Sequence, residues 1–420
     1  MNIKIKSLFI LYALLLTQFC FGQKKLRFEN RVYEPSIKTV QININGSSVE
    51  NVINPPVTKV NQKRLILSFD DLRDDADYYY VYFIHCNADW TESGLRPNMY
   101  VNSYNEFEIA NFEFSAEAKN KYVNYSFEIP AFKSSGNYLA VVYRDRDKKD
   151  LILSRRFYVY EESAAVGIAV QRSADPGKRM NNQRVEVTLN YSGLQAIDPK
   201  MQFKVTVRQN QRDDLTTENL PPTFIDQNSQ MIRYQNLGNE NEFPGTNEFR
   251  NFNLGTVTFT GRSVQNISIG QGQVTAELRT DRPLGSGYLQ SLDINGQFYI
   301  QDQEGRAGQV TGEYVKTLFS LDYPKTSDNI YVVGAFNDWR KDESSKMRFN
   351  SRTEIYETEI MLKQGWYNYA YITDGTNPFE IDGSFFDTEN LYEVFVYYRP
   401  MGGRGDLLVA YGLNYYNTRR

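Results

Sequence analysis

The sequence predicts an all-β fold of tandem immunoglobulin-like sandwiches. Three observations carry that expectation. Short runs alternate apolar and polar residues, as in Lys38–Ile44, where Val40, Ile42 and Ile44 share one face. Turn signals recur between those runs, among them Asn45-Gly46 and Ser134-Ser-Gly-Asn137. No segment has the period and length of a long helix. Only Ser115–Lys121 and Leu284–Leu292 qualify as helical candidates.

The first residues read as a targeting signal. Lys4 and Lys6 form a basic start, Leu8–Leu16 is an unbroken apolar run, and Gly22 is a small residue at a cleavage position. A signal peptide over 1–22 and a mature chain from Gln23 are expected. The apolar run is too short to span a bilayer, and no later stretch approaches that length, so an exported, soluble mature chain follows. Gln18 and Phe19 are poor neighbours for a lipid-modified Cys20. Loss of Lys4 and Lys6 takes the formal net charge from −4 to −6. A mildly acidic chain is a poor partner for nucleic acid or anionic lipid. Of two cysteines, Cys20 leaves with the signal and Cys86 stands alone. Exported domains without disulfides need real cores, and 31 Tyr with 26 Phe supply them.

Along the mature chain, the first unit is expected over 23–162. Its strands include Arg64–Phe69, Tyr78–Cys86, Asn105–Asn111, Tyr122–Ile129, Tyr138–Tyr143 and Leu151–Tyr160. Tyr78–Cys86 is apolar on both faces and reads as a central strand. Asp145–Asp150 is a charged hairpin tip. After the short linker Glu161–Ala165 a second unit is expected over 163–310, with strands at Val166–Val170, Arg184–Tyr191, Gln202–Gln209, Thr256–Thr260, Val274–Arg279 and Leu292–Ile300. It carries a long excursion over 220–254. Pro221-Pro222 and Pro244-Gly245 bar a helix there. A connection of that length calls for a role. Gln303–Gln309 is a polar link into a third unit over 311–420.

No residue pattern demands catalysis. His85 and Cys86 are neighbours on a strand and point to opposite faces, so they form no dyad. One His and one Cys give no ordinary zinc set. Asp70-Asp71-Leu-Arg-Asp74-Asp75-Ala-Asp77 lacks calcium-loop spacing and reads as a solvated turn. Hydrolase, metalloprotease and nucleotide fingerprints are absent. Two distant carboxylates acting as a glycosidase pair stay open. Arg404-Gly405-Asp406 reads as a turn. No catalytic residue, metal or cofactor is expected.

The run Ile330-Tyr-Val-Val-Gly-Ala-Phe-Asn-Asp-Trp339, followed by Gly365–Gly375 and Asp382, resembles the early-set immunoglobulin-like domains of glycogen-binding modules. That resemblance covers about the last quarter of the chain. It implies a sandwich with a G-x-F-N-x-W turn. The family's strand lysine is replaced by Ala370, and Asn377 and Pro378 follow the later turn where an aromatic is expected. Trp339 is therefore read as core or interface, with a sugar contact as the alternative.

Further motifs occur in order: His85-Cys-Asn-Ala-Asp-Trp90, Ser134-Ser-Gly-Asn-Tyr138, Ser154-Arg-Arg-Phe-Tyr158 and Asn247-Glu-Phe-Arg250. With the early-set-like end they resemble the type IX secretion system plug family over essentially the whole mature chain. That resemblance implies a non-enzymatic periplasmic protein. Its implied partner is the giant outer-membrane β-barrel translocon, whose periplasmic mouth it closes when no substrate is present. The expected partner-facing residues are Phe243, Asn247, Phe249, Arg250 and Trp339. The competing expectation is that the Phe side chains pin the excursion to its own domain. A periplasmic or surface carbohydrate-binding module is the alternative function.

Overall fold

The computed structural model describes residues 24–418 except 47, 74, 117, 236, 237, 286 and 303–307. The expected signal peptide, most of the expected 303–309 link and Asp74 of the acidic run lie outside the described residues. Within them the chain is almost entirely β, arranged as three sandwiches.

In the first sandwich the two sheets face each other across one core. One sheet runs Arg31–Val32, Asp147–Tyr160, Gly136–Arg144, Tyr79–Cys86, Phe107–Glu108. The other runs Ile37–Ile44, Leu65–Asp71, Val123–Glu128, Asn111–Phe114. Alternation decides what goes inside: Leu65, Leu67 and Phe69 meet Val81, Phe83, Ala140 and Phe157. Stacked Phe69–Tyr125 rings lie 5.1 Å apart, and Phe83 meets four other rings. Asp145 and Arg146 both take left-handed φ values, 51° and 60°. That is the geometry of a tight two-residue hairpin between Gly136–Arg144 and Asp147–Tyr160.

The expected divisions 163–310 and 311–420 do not follow the sheets. The second sandwich starts with Ala165–Arg172 and Asn182–Asn190. Its other sheet runs Thr216–Thr217, Phe203–Gln209, Asn390–Tyr398, Leu407–Tyr416. Phe203–Gln209 and Asn390–Tyr398 pair antiparallel from Phe203↔Tyr398 to Gln209↔Tyr392. Val205, Val207, Val394 and Val396 are buried by that pairing. The third sandwich is inserted between these partners. Its sheets are built from Arg250–Asn253, Gly365–Thr373, Phe298–Ile300 and Ile330–Val333, and from Val264–Ile269, Val274–Leu278, Tyr314–Leu321, Ile355–Lys363 and Arg348–Asn350. Phe252, Phe298 and Tyr367 stack in its core.

The expected excursion contributes strands to two sheets. Phe224–Asp226, Met231–Tyr234 and Glu242–Pro244 join the second sandwich, and Arg250–Asn253 opens the third. The described residues of the helical candidates 115–121 and 284–292 are not helical, and 256–260 is not a strand. Among the described residues no helix is long and apolar enough to cross a membrane.

Candidate functional site: the junction of three sandwiches

The residues that stood out in the sequence collect where the sandwiches meet. His85 sits in the central strand Tyr79–Cys86 and is buried. Its Nε2 donates to Ser135 O at 2.9 Å, which leaves Nδ1 to accept from Ser93 Oγ at 2.8 Å. Burial holds its pKa below the usual histidine range. Cys86 points to the other face, into the apolar cluster that the first sandwich shares with the second. Burial pushes that thiol up to about 12, so it is an inert packing group. Asn137, next to Gly136, donates to Asn87 O at 3.0 Å and accepts from Tyr397 OH at 2.7 Å, crossing between sandwiches. Asp406, from the Arg404-Gly-Asp turn, accepts from Ala88 N, Lys204 Nζ and Arg399 Nε. That turn is part of the same joint.

Trp90 and Tyr158 meet edge to face at 5.4 Å, and the Arg156 guanidinium lies 4.1 Å from the Trp90 ring centre. Arg156 continues to Asp213 of the second sandwich at 2.8 Å. Beside it Arg208 makes a two-pronged contact with Glu393, 2.8 and 3.0 Å, and reaches Tyr158 OH at 2.9 Å. Burial works against the Arg208 charge, but Glu393 outweighs it and the pKa stands above the ordinary value.

The third sandwich is tied in by charge. Lys363 Nζ lies 2.6 Å from Asp70 Oδ2 with both side chains fully buried. Tyr314 OH also donates to Asp70 at 2.7 Å, and the Lys363 ammonium stands 4.1 Å over the Tyr122 ring. Burial lowers the Lys363 pKa against the pull of Asp70. Glu313 accepts from the backbone N–H of Lys119 and Asn120. The expectation of a solvated acidic turn is thus corrected for Asp70 and Asp71. Both are wholly buried, Asp71 under Arg73 and Tyr79. Arg155 of the first sandwich pairs with Asp338 of the third at 3.2 Å.

The five expected partner-facing residues are turned inward, which corrects that reading. Phe243 is 2% exposed and packs on Tyr392. Asn247, at 7%, donates to Asp382 O. Phe249, at 5%, lies against Trp339. Arg250 is clamped by Asp281 and Asp382, each at 2.8 Å. Burial opposes the Arg250 charge, but the two carboxylates keep its pKa above the ordinary value. Trp339 is covered by Arg212, 4.1 Å from its ring centre, and by Phe249 at 5.4 Å. A Cβ at Gly296 would stand 2.5 Å from the same indole. No face of Trp339 is left to stack on a sugar. Phe243 packs the excursion onto the second sandwich through Tyr392, while Phe249 packs on Trp339 of the third, so the competing expectation of pinning to a single domain describes Phe243 and not Phe249.

An open cleft of about 950 Å³ borders the junction, between Ile37–Val40 and the third sandwich. Its lining carries charges of both signs, among them Arg31, Glu34, Lys38, Asp342, Glu343 and Arg348. Among the described residues no group of three or more His, Cys, Asp or Glu is placed to hold a metal ion. The buried Asp70–Lys363 pair carried no motif in the sequence. Its one trace was a lysine at the end of the largely apolar strand Ile355–Lys363.

Comparison with known proteins bears on this arrangement. Residues 37–161 match the family model described as Type 9 secretion system plug protein 1st domain. That family is a structural secretion component of the cell envelope. A crystal structure of a hypothetical protein from Parabacteroides merdae ATCC 43184 is similar over 93% of this chain and 100% of its own, at 29% identity and a TM-score of 0.86. A Salmonella alpha-2-macroglobulin mutant aligns at 8% identity and a TM-score of 0.19, over 91% of this chain and 33% of its own. That alignment carries no structural argument. No curated protein matches the chain.

Proposed function

We propose, from the premise that residues 37–161 belong to the type 9 secretion system plug family, that this protein is a non-enzymatic plug. It binds the periplasmic mouth of the outer-membrane secretion barrel and closes the pore while no substrate occupies it. The family match over the first sandwich is the observation that carries this reading. The junction supports it physically. A plug must resist deformation, and three bodies joined by buried ion pairs and hydrogen bonds move as one. The insertion of one sandwich in another adds two covalent connections at the joint. The motif residues are spent on that bracing: His85, Asn137, Trp90, Arg156 and Tyr158 all hold sandwich to sandwich or strand to strand.

The reading is tested by deleting the gene and measuring entry of a bulky antibiotic that an intact outer membrane excludes. Sensitivity should rise, and return to normal when the full chain is restored. A permeability barrier unchanged by deletion counts against a closing role.

A further inference from the structure

We propose that the edge strand Asn111–Phe114 accepts an extended segment of a partner protein as an added strand of the first sandwich. This deepens the plug reading and rests on it for the identity of the partner, the secretion barrel. The strand is the outer member of its sheet, paired only to Val123–Glu128 among the described residues, and all four of its residues are exposed. The opposite edge of the same sheet, Ile37–Ile44, faces the third sandwich, where Thr39 Oγ meets Tyr314 OH at 2.6 Å and the Gln41 side chain donates to Phe298 O.

Backbone parity shows which groups are free. Ser115 N–H goes inward to Tyr122 O, 2.8 Å, and Ala116 N–H goes outward to Val310 O, 2.8 Å. Neighbouring residues alternate in an antiparallel ladder, so Phe112 and Phe114 aim their N–H and C=O groups outward with Ala116. The contact to Val310 closes one end of the edge and leaves 111–114 open. The side chains lie on the core face of the sheet. Phe112 lies opposite Tyr125 and Phe114 opposite Val123, both core residues. Their rings meet at 6.0 Å, yet they are 42% and 55% exposed. The core face therefore continues past the sheet that should cover it.

Edges are normally guarded by lysine, proline or a bulge. This one has an unbroken register, no Pro and one charge, Glu113. A second copy is a poor occupant. Symmetric pairing about Glu113 sets like charges opposite each other, and four residues supply far less than the ~1,200 Å² of a stable interface. The fitting occupant is an extended segment of a larger partner, with apolar residues on the core side and a basic residue opposite Glu113.

The test uses the full chain, tagged, to capture the barrel from detergent-solubilised envelopes. Phe112→Pro removes an outward donor and a ring without touching the inward ladder, and Glu113→Lys reverses the single charge. Both variants should lower captured barrel at least about tenfold with an unchanged unfolding midpoint. Capture equal to wild type by both folded variants overturns the inference. So does a wild-type dimer that either variant dissociates, because the occupant is then a second copy. Failure of the wild-type chain to capture any barrel falls on the plug reading itself, and removes the occupant with it.

Discussion

Lys363 and Asp70 lie 293 positions apart in sequence, yet Nζ and Oδ2 meet at 2.6 Å, both sealed from solvent where the first and third sandwiches touch. Such a pair is costly to bury and more costly to break. Lys363→Met leaves the Asp70 carboxylate buried with Tyr314 and Asn124 as its remaining side-chain donors. Equilibrium unfolding should show a loss of ~3–5 kcal/mol. Adding Asp70→Asn to Lys363→Met should recover a substantial part of it. Equal losses that simply add would show that the two groups do not act as a pair.

Trp339 bears on what the third sandwich does. Its ring fills the space between Phe249, Gly296 and Arg212. Trp339→Ala should cost ~3–5 kcal/mol in unfolding. An unfolding midpoint that stays put, together with loss of measurable glucan binding, would restore the carbohydrate reading.

Gly136 is held at φ +149°, and a Cβ there would stand 2.2 Å from His85 Nε2. Neither the backbone nor the His85–Ser135 bond tolerates a side chain. Gly136→Ala should destabilise by at least ~2 kcal/mol, read as a lower unfolding midpoint. A variant as stable as wild type would mean that the histidine is free to move.

Asp293 sets a pH dependence. It accepts from the backbone N–H of Asn295 and Phe249 and stands near the Glu248 and Glu389 carboxylates. Burial pushes its pKa up from 3.8 to about 8. The folded chain then binds a proton that the unfolded chain releases, so this contribution is complete below pH ~4 and is lost as pH rises through 8. Thermal unfolding of Asp293→Asn across that window should fall less steeply with pH than wild type. Parallel profiles would contradict it.

Local sequence signals located most strands of the first sandwich. Tyr79–Cys86 and Gly136–Arg144 alternate or run apolar in ways only sheets accommodate. Periodicity says nothing about which distant strand becomes a neighbour. Phe203–Gln209 has a pattern as compatible with the sandwich before it as with Asn390–Tyr398, so the inserted third sandwich was hidden. Leu407–Tyr416 owes its length to its pairing partner: it continues as a strand to Tyr416 because Asn390–Tyr398 pairs with it throughout. At the junction the aromatic motifs were conspicuous, but an aromatic run reads alike whether it faces a partner or a neighbouring sandwich. That ambiguity is why Phe243 and Phe249 are expected to face a partner and Trp339 is read as core or interface, and all three are found inside. Asp70 was expected in solvent because its neighbours are acidic. Its burial depends on Lys363, which local sequence does not connect to it.

The central claim is that this chain occupies a secretion barrel. Its most direct measurement is a pull-down from detergent-solubilised envelopes with a tag at the C-terminus, followed by identification of what is retained. A large outer-membrane β-barrel recovered in near-equal amount with the tagged chain is the expected result. Recovery of the chain alone, under conditions that keep the barrel folded and soluble, would contradict it.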